Sequence, residues 1–367
     1  AVIVDDLLIF SQDPDNIIKT LENKYKYKLG GVGTPEYYNG ADISFDDKGY
    51  AQMSANTYIK NITECIEKLL QSTLKNYGSP MESGDHPEVD ESDLLPPSDI
   101  PIYQMLIGCA QWAVTIGRFD IQYATNTLAR YGIMPREGHM KRCLRLFGYL
   151  KHHPNARLLF DPTAPDLGSL EFKTHDWTDL YPSTEEYTPD YIPTPKTKTP
   201  LSITVYVDAS HATDLVTRRS VTGYILFVGK SVIKYYCKRQ NTVETSSYGS
   251  ELVAMRIALE GILEIRYKLR MMGLPIEPTS TILCNNQAVI YNTQFPTSSL
   301  KKKHNAVAFH KLREAIAAGI IRTAFVRSEN NLSDILTKPK GPLDYHKFLK
   351  VILYGKSPTT EHMHQGE

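Results

Sequence analysis

The chain has 367 residues, room for two or three compact domains, and its 41% hydrophobic content is ordinary for a globular protein. No apolar run reaches bilayer-spanning length, so no membrane partner is expected, and the five scattered cysteines, never paired as CxxC, argue against a disulfide framework or a zinc site. The formal net charge of +0 hides an asymmetry: residues 201–356 hold 22 Lys and Arg against 11 Asp and Glu, and residues 1–200 hold 19 against 28.

A basic C-terminal half is the footprint of a phosphate-binding surface, though a solvated basic face gives the same imbalance. The sequence opens on Ala1 inside the apolar run AVIVDDLLIF, which reads as a fragment or a piece of a longer precursor. The apolar run IVDDLLIF is interrupted by Asp5 and Asp6, and DNIIKTLENKYK has helical spacing with Asp15 and Asn16 at its start. From Glu82 to Asp99 there are seven carboxylates and no Lys or Arg, which predicts a loop. Apolar residues then recur every three to four positions from Tyr103 to Leu159, predicting helices. The run from Pro162 to Pro200 is rich in Pro, Thr and acid and reads as a linker.

After Leu201 three strands, SITVYVDAS, VTGYILFVG and SVIKYYC, are joined by short turns as a meander. A helix from about Val243 to Met272, the strand STILCN, a helical segment from Gln287, a helix from about His304 to Ala317, the strand IIRTAFVR and the short helix NNLSDILTK complete the order. That succession predicts an α/β sheet of mixed strand directions.

Hydrolysis of a phosphodiester needs an activated water and neutralised charge at the in-line transition state. Two Mg²⁺ ions about 3.5–4 Å apart supply both, held by carboxylates converging from separate elements. Asp208 at the end of the first strand, Glu251 early in the long helix and Asp334 in the short last helix are placed to converge. Each is also compatible with a duller role, as a turn cap, a surface helix residue or a helix N-terminal charge. A fourth carboxylate is expected after STILC, where Asn285 and Asn286 stand instead.

The stretches YVDAS, TRRSVTGYILFVG, KRQNTVETSSYGSELVAM, KKKHNAVAFHKLREAI and NLSDILTK resemble, in order and spacing, the ribonuclease H of copia-type long-terminal-repeat retrotransposons. The resemblance implies that Asp208, Glu251 and Asp334 are catalytic metal ligands for Mg²⁺, and that the partner is an RNA–DNA hybrid. It places Asn285 where the family pattern reads Asp-Asn. A neutral amide offers oxygen but no charge to a two-metal site, so impaired catalysis is expected. His304 and His310 also fall on family positions, and His304 beside Lys301, Lys302 and Lys303 is a candidate phosphate contact. Arg218 and Arg219, in the TRRS segment, either contact the nucleic-acid backbone or fix the turn.

Upstream, IVDDLLIF resembles the paired-aspartate hairpin of a reverse-transcriptase palm, which implies that Asp5 and Asp6 are a polymerase remnant. GGVGTPEYYNGADISFDD and the run containing GRFDI resemble the segments that follow it, with Trp112, Arg118 and Asp120 in structural roles. The expected architecture is thus a ribonuclease H-like α/β mixed sheet with helices, preceded by a truncated α+β palm, thumb and connection region of the same Pol polyprotein. The expected divisions are a palm remnant at 1–75, a thumb or connection-like helical region at 76–161, the linker at 162–200, the ribonuclease H-like domain at 201–340 and a tail at 341–367. The resemblance further implies the remainder of the Pol polyprotein as a partner. It also implies an intracellular location, in a cytoplasmic particle or the nucleus, without secretion.

Overall fold

The central strand of the C-terminal half, β7 (Ile203–Ala209), is apolar at nearly every position because both of its faces are covered. The computed structural model describes residues 2–353 except 4, 5, 10, 12, 169, 196, 301 and 302. Strand β7 pairs antiparallel with β8 (Val221–Val228), which pairs antiparallel with β9 (Ser231–Arg239). On its other side β7 pairs parallel with β10 (Ser280–Cys284), which pairs parallel with β11 (Ile321–Phe325). The mixed sheet expected for this part of the chain is therefore present, in the order β11-β10-β7-β8-β9.

Period-two alternation sends β7 and β8 side chains to two separate cores. Val205, Val207 and Leu226 meet Leu252, Met255 and Leu259 of α6 (Ser247–Met271) and Phe309 and Leu312 of α8 (Ala306–Ala317). Ile225, Phe227 and Cys237 face the other way, into a core shared with the N-terminal half. That core contains residues of α3 (Ile100–Thr115), α4 (Gln122–Ala129) and α5 (Glu137–His152), the helices expected between Tyr103 and Leu159.

The N-terminal half starts with a two-strand antiparallel pairing, Val2–Ile3 with Asp6–Leu7, followed by the helix Pro14–Asn23 capped by Asp13. Asp5 lies outside the described residues. A second sheet joins Tyr37–Tyr38, Ala41–Phe45, Ala51–Ser54 and Arg157–Leu159 in that order, with the helix Asn56–Leu70 packed on it. The acidic stretch 82–99 is clamped rather than loose. Arg142 on α5 grips Asp85 and Asp90, and Arg145 reaches Glu82 at 2.7 Å. The run 162–200 likewise crosses the helices as a strap. Trp177 is buried, and Glu186 takes charged hydrogen bonds from both Arg266 and Arg270 of α6.

The segment 341–367, read as a tail, contains the helix Pro342–Ile352, whose Tyr345, Phe348 and Leu349 are buried in the shared core. Pro342 packs so closely on Gly78 that a Cβ there would lie 2.8 Å from the ring. Tyr345 donates to the backbone oxygen of Asp120. Asp120 itself receives two guanidinium bonds from the fully buried Arg118, at 2.9 and 2.8 Å, and one from Tyr149 at 2.7 Å. Arg118 also donates to the His153 carbonyl at 2.8 Å. These roles agree with the structural reading of GRFDI. Removing one partner of so dry a pair strands the other, so Asp120→Ala should cost about 3–5 kcal/mol in urea unfolding. A loss below about 1 kcal/mol would show that the pair is dispensable.

His153 lies between His152, edge-on, and His346, tilted, with ring centroids 4.5 and 4.6 Å away. Burial first, then His346, His152 and Arg118, hold its imidazole down at about 3. The unfolded chain takes up a proton near pH 6.5 that the folded chain refuses, so stability falls as pH drops through 6.5 and keeps falling towards 3. Between pH 7.5 and 5.5 the loss from His153 should be about 1.4 kcal/mol, with the lowered His346 and His139 adding in the same direction. Urea midpoints at the two pH values check this, and His153→Phe should flatten the difference.

Candidate functional site

Asp208, the last residue but one of β7, lies opposite Gly223 of β8. Over that spot lies a 3-10 turn, Leu332–Leu336, which takes the place of the short helix expected at NNLSDILTK. The approach is possible because residue 223 is glycine: a Cβ there would meet Thr337 Cγ2 at 2.7 Å and Leu336 Cβ at 2.9 Å. Asn331 fastens the turn, donating to the Val207 carbonyl at 2.8 Å and accepting from the Ser333 hydroxyl at 2.7 Å. Thr337 donates its hydroxyl to Asp208. The result brings Asp334 beside Asp208, both 2% exposed.

Glu251 arrives from the opposite face of the sheet. It lies at the start of α6, whose first turn is capped by the Ser246 hydroxyl, and its carboxylate accepts from the Ala209 backbone N–H. The three carboxylates expected to converge are therefore neighbours and feel one another's charge. Burial first, then Asp334, pushes Asp208 up to about 6. Burial, then Asp208, pushes Glu251 well above the usual carboxylate range.

Asn285 follows β10 and donates to the Ser328 hydroxyl at 3.1 Å, while its Oδ1 is buried without a donor. Asn286 has a different task, capping the helix Gln287–Gln294 through the backbone N–H groups of Ala288 and Val289. Glu251 Oε2 and Asp334 Oδ1 are further buried acceptors without a hydrogen-bond donor. Orphaned oxygens of this kind suit a hard divalent cation. Among the described residues, however, no group of three or more His, Cys, Asp or Glu side chains is arranged to hold a metal ion. Asp334 is ion-paired instead, with Lys338 Nζ 2.6 Å from Oδ1 and Lys340 Nζ 2.5 Å from Oδ2.

These lysines, with Thr337 and Asn331, are what the sequence reading missed. The signal was available: Asp334 and Lys338 stand four apart, a spacing that brings opposite charges together on a helical turn. The candidate phosphate contact His304 and the neighbouring His310 have protein partners. His304 meets the buried Glu244 at 3.1 Å, and His310 meets the Tyr181 hydroxyl at 2.7 Å. Lys301 and Lys302 lie outside the described residues, and Lys303 starts the short turn before α8. Arg218 is exposed with φ of 54°, and the turn that carries it and Arg219 is organised by Asp214, which accepts from the Thr217 N–H at 2.7 Å and is bridged to Arg130 and Arg239. The Arg218 N–H donates to the Asp214 carbonyl at 2.8 Å and the Arg219 carbonyl accepts from the Asp214 N–H at 3.4 Å, so both arginines take part in the turn.

Buried like charges store destabilisation, which a neutral isostere relieves. Asp208→Asn should raise metal-free stability at pH 8 by about 2 kcal/mol, with a smaller gain at pH 5, where the folded Asp208 is already protonated. Chemical denaturation at both pH values measures it. A destabilised variant would show that the Asp208 charge is well solvated or fully paired.

The chain matches no family model. It is 24% identical over 352 residues to the Retrovirus-related Pol polyprotein from transposon RE1 of Arabidopsis thaliana, across 96% of this chain and 21% of that protein. It is 22% identical over 365 residues to the Transposon Ty1-NL2 Gag-Pol polyprotein of Saccharomyces cerevisiae, across 92% of this chain and 18% of that protein. The chain thus spans about a fifth of the length of the curated relatives it matches. Among solved structures, RNase H1 from Halobacterium salinarum aligns with 37% of this chain and 94% of its own, at 14% identity and a TM-score of 0.29.

Proposed function

We propose that this chain, a homologue of retrotransposon Pol polyproteins over nearly its whole length, is a Pol segment whose part 201–340 descends from a ribonuclease H and engages RNA–DNA hybrids with impaired cleavage. The observation that carries the reading is the convergence of Asp208, Glu251 and Asp334 from three separate elements onto one strand end, beside Asn285. Spread over unrelated surfaces, the same residues would support no such chemistry.

Mg²⁺ bound here would activate a water and offset the charge of the phosphodiester transition state. The chain's own contribution is to hold the oxygens that would receive it, Asp208, Glu251, Asp334 and the amide oxygen of Asn285, on rigid elements. Thr337 and Asn331 keep Asp208 and the Asp334 turn in register. With an amide in the fourth position, the negative charge drawing cations in falls by one, which supports weak or absent cutting. Arg218, Arg219, Lys303 and His304, with Lys301 and Lys302, are proposed contacts to the nucleic-acid backbone, which would make binding salt-dependent.

The remaining divisions are proposed as a palm remnant at 1–75 with Asp5 and Asp6, a thumb or connection-like region at 76–161 and a connecting strap at 162–200. The rest of the Pol polyprotein is the proposed protein partner, and a cytoplasmic particle or the nucleus the proposed location. A second reading, a purely non-catalytic hybrid-binding module, is favoured by the lysines on Asp334.

A labelled RNA–DNA hybrid in Mg²⁺ or Mn²⁺ separates the two. The first reading expects Asn285→Asp to raise RNA-strand cleavage by about tenfold or more, corresponding to roughly 1.4 kcal/mol of transition-state stabilisation. Hybrid binding without cleavage by either protein favours the second reading. Absence of salt-dependent hybrid binding sinks both.

A further inference from the structure

The carboxylate site is not an open acidic cleft. Asp208, Glu251 and Asp334 are 2%, 6% and 2% exposed, whereas the Lys338 side chain is 42% exposed, pairs with Asp334 and lies within range of the other two charges. Lys338 thus stands between the buried carboxylates and solvent, with Nζ on Asp334 Oδ1. Lys340, whose side chain is only 16% exposed, holds the other oxygen. Both lysines stand just past the 3-10 turn that delivers Asp334, so the same short segment brings the acid and its counter-charges.

We infer that Lys338 and Lys340 are built-in cations of this site, substituting for part of the divalent charge and competing with metal for Asp334. The inference rests on the metal-binding reading above and concerns how that site is loaded. An ammonium about 3 Å from a carboxylate opposes a divalent ion at the same oxygens by direct charge repulsion. A pocket with an amide at its fourth position has less charge with which to overcome that competition. The metal-free chain is correspondingly held together by the two lysines, which supply the positive charge that the buried acids require.

Two readouts independent of cleavage test this on the full chain: Mn²⁺ binding by titration calorimetry, and thermal unfolding with and without Mn²⁺. Lys338→Met should tighten Mn²⁺ binding on the order of tenfold, since a full positive charge leaves the site. The same variant should melt lower than the parent without metal and gain more from Mn²⁺ than the parent does. Lys340→Met should act in the same direction, and Lys338→Arg, which retains the charge, should bind Mn²⁺ as weakly as the parent. If Lys338→Met does not fold, Lys340→Met and Lys338→Arg still give the comparison.

Unchanged Mn²⁺ affinity in both methionine variants, alongside tighter binding in Asn285→Asp, would overturn the lysine inference and leave the metal site standing. No Mn²⁺ binding in any variant, Asn285→Asp included, would overturn the metal site and the inference together.

Discussion

A five-stranded mixed sheet with apolar residues on both faces has to be covered twice, and that requirement organises this chain. One face is closed by α6 and α8 from the same part of the sequence. The other is closed by helices α3 to α5 and by the helix Pro342–Ile352. The N-terminal half is therefore not a separate bead before a linker. Its helices are the second lid of the sheet, and the last helix returns across the sheet to join them. Asn126 donates to the Cys237 carbonyl at 2.8 Å and Tyr235 donates to the Val114 carbonyl, so the two halves share polar as well as apolar contacts.

The same requirement makes the carboxylate site buried. A residue at the end of a two-sided strand sits under whatever crosses the sheet edge, and here that is the 3-10 turn bearing Asp334. Burial and mutual repulsion both favour protonated acids, which is why Asp208 and Glu251 are pushed upward. The arrangement tolerates this strain because the chain supplies donors of its own: the Thr337 hydroxyl on Asp208, the Ala209 N–H on Glu251 and two ammonium groups on Asp334. Sites that gather like charges under cover are commonly built for a ligand rather than for stability.

Much of the sheet was legible in the sequence, and the reason is periodicity. The runs SITVYVDAS, VTGYILFVG and STILC are short, apolar and bounded by turns, and each forms a strand. The convergence of Asp208, Glu251 and Asp334 was legible through resemblance and element order, since no single carboxylate declares its neighbours. What composition could not convey was tertiary pairing. The acidic stretch 82–99 reads as a solvated loop until Arg142 and Arg145, some fifty residues on, are seen to grip it. Residues 162–200 read as a linker because the partners of Trp177 and Glu186 lie far along the chain, on α6 and α8. The last helix was missed for the same reason: its Tyr345 and Phe348 gain meaning only against Asp120 and the core around it.

The charges of the site bear on Asn285 as well as on metal. Four ionised carboxylates under cover would need cations at all times, and a chain that meets metal only intermittently would be unstable in between. With Asn285 in place, three carboxylates remain, and Lys338 and Lys340 offset two of them. The residual charge is small enough for burial to be borne by raised carboxylate pKa values alone. An amide at position 285 and two lysines on Asp334 therefore push in one direction. Under the metal-binding reading proposed above, both lower the dependence of the fold on a divalent ion, and both lower the pull of the site on one. A pocket so balanced can keep its three acids under cover with cations that the chain itself supplies.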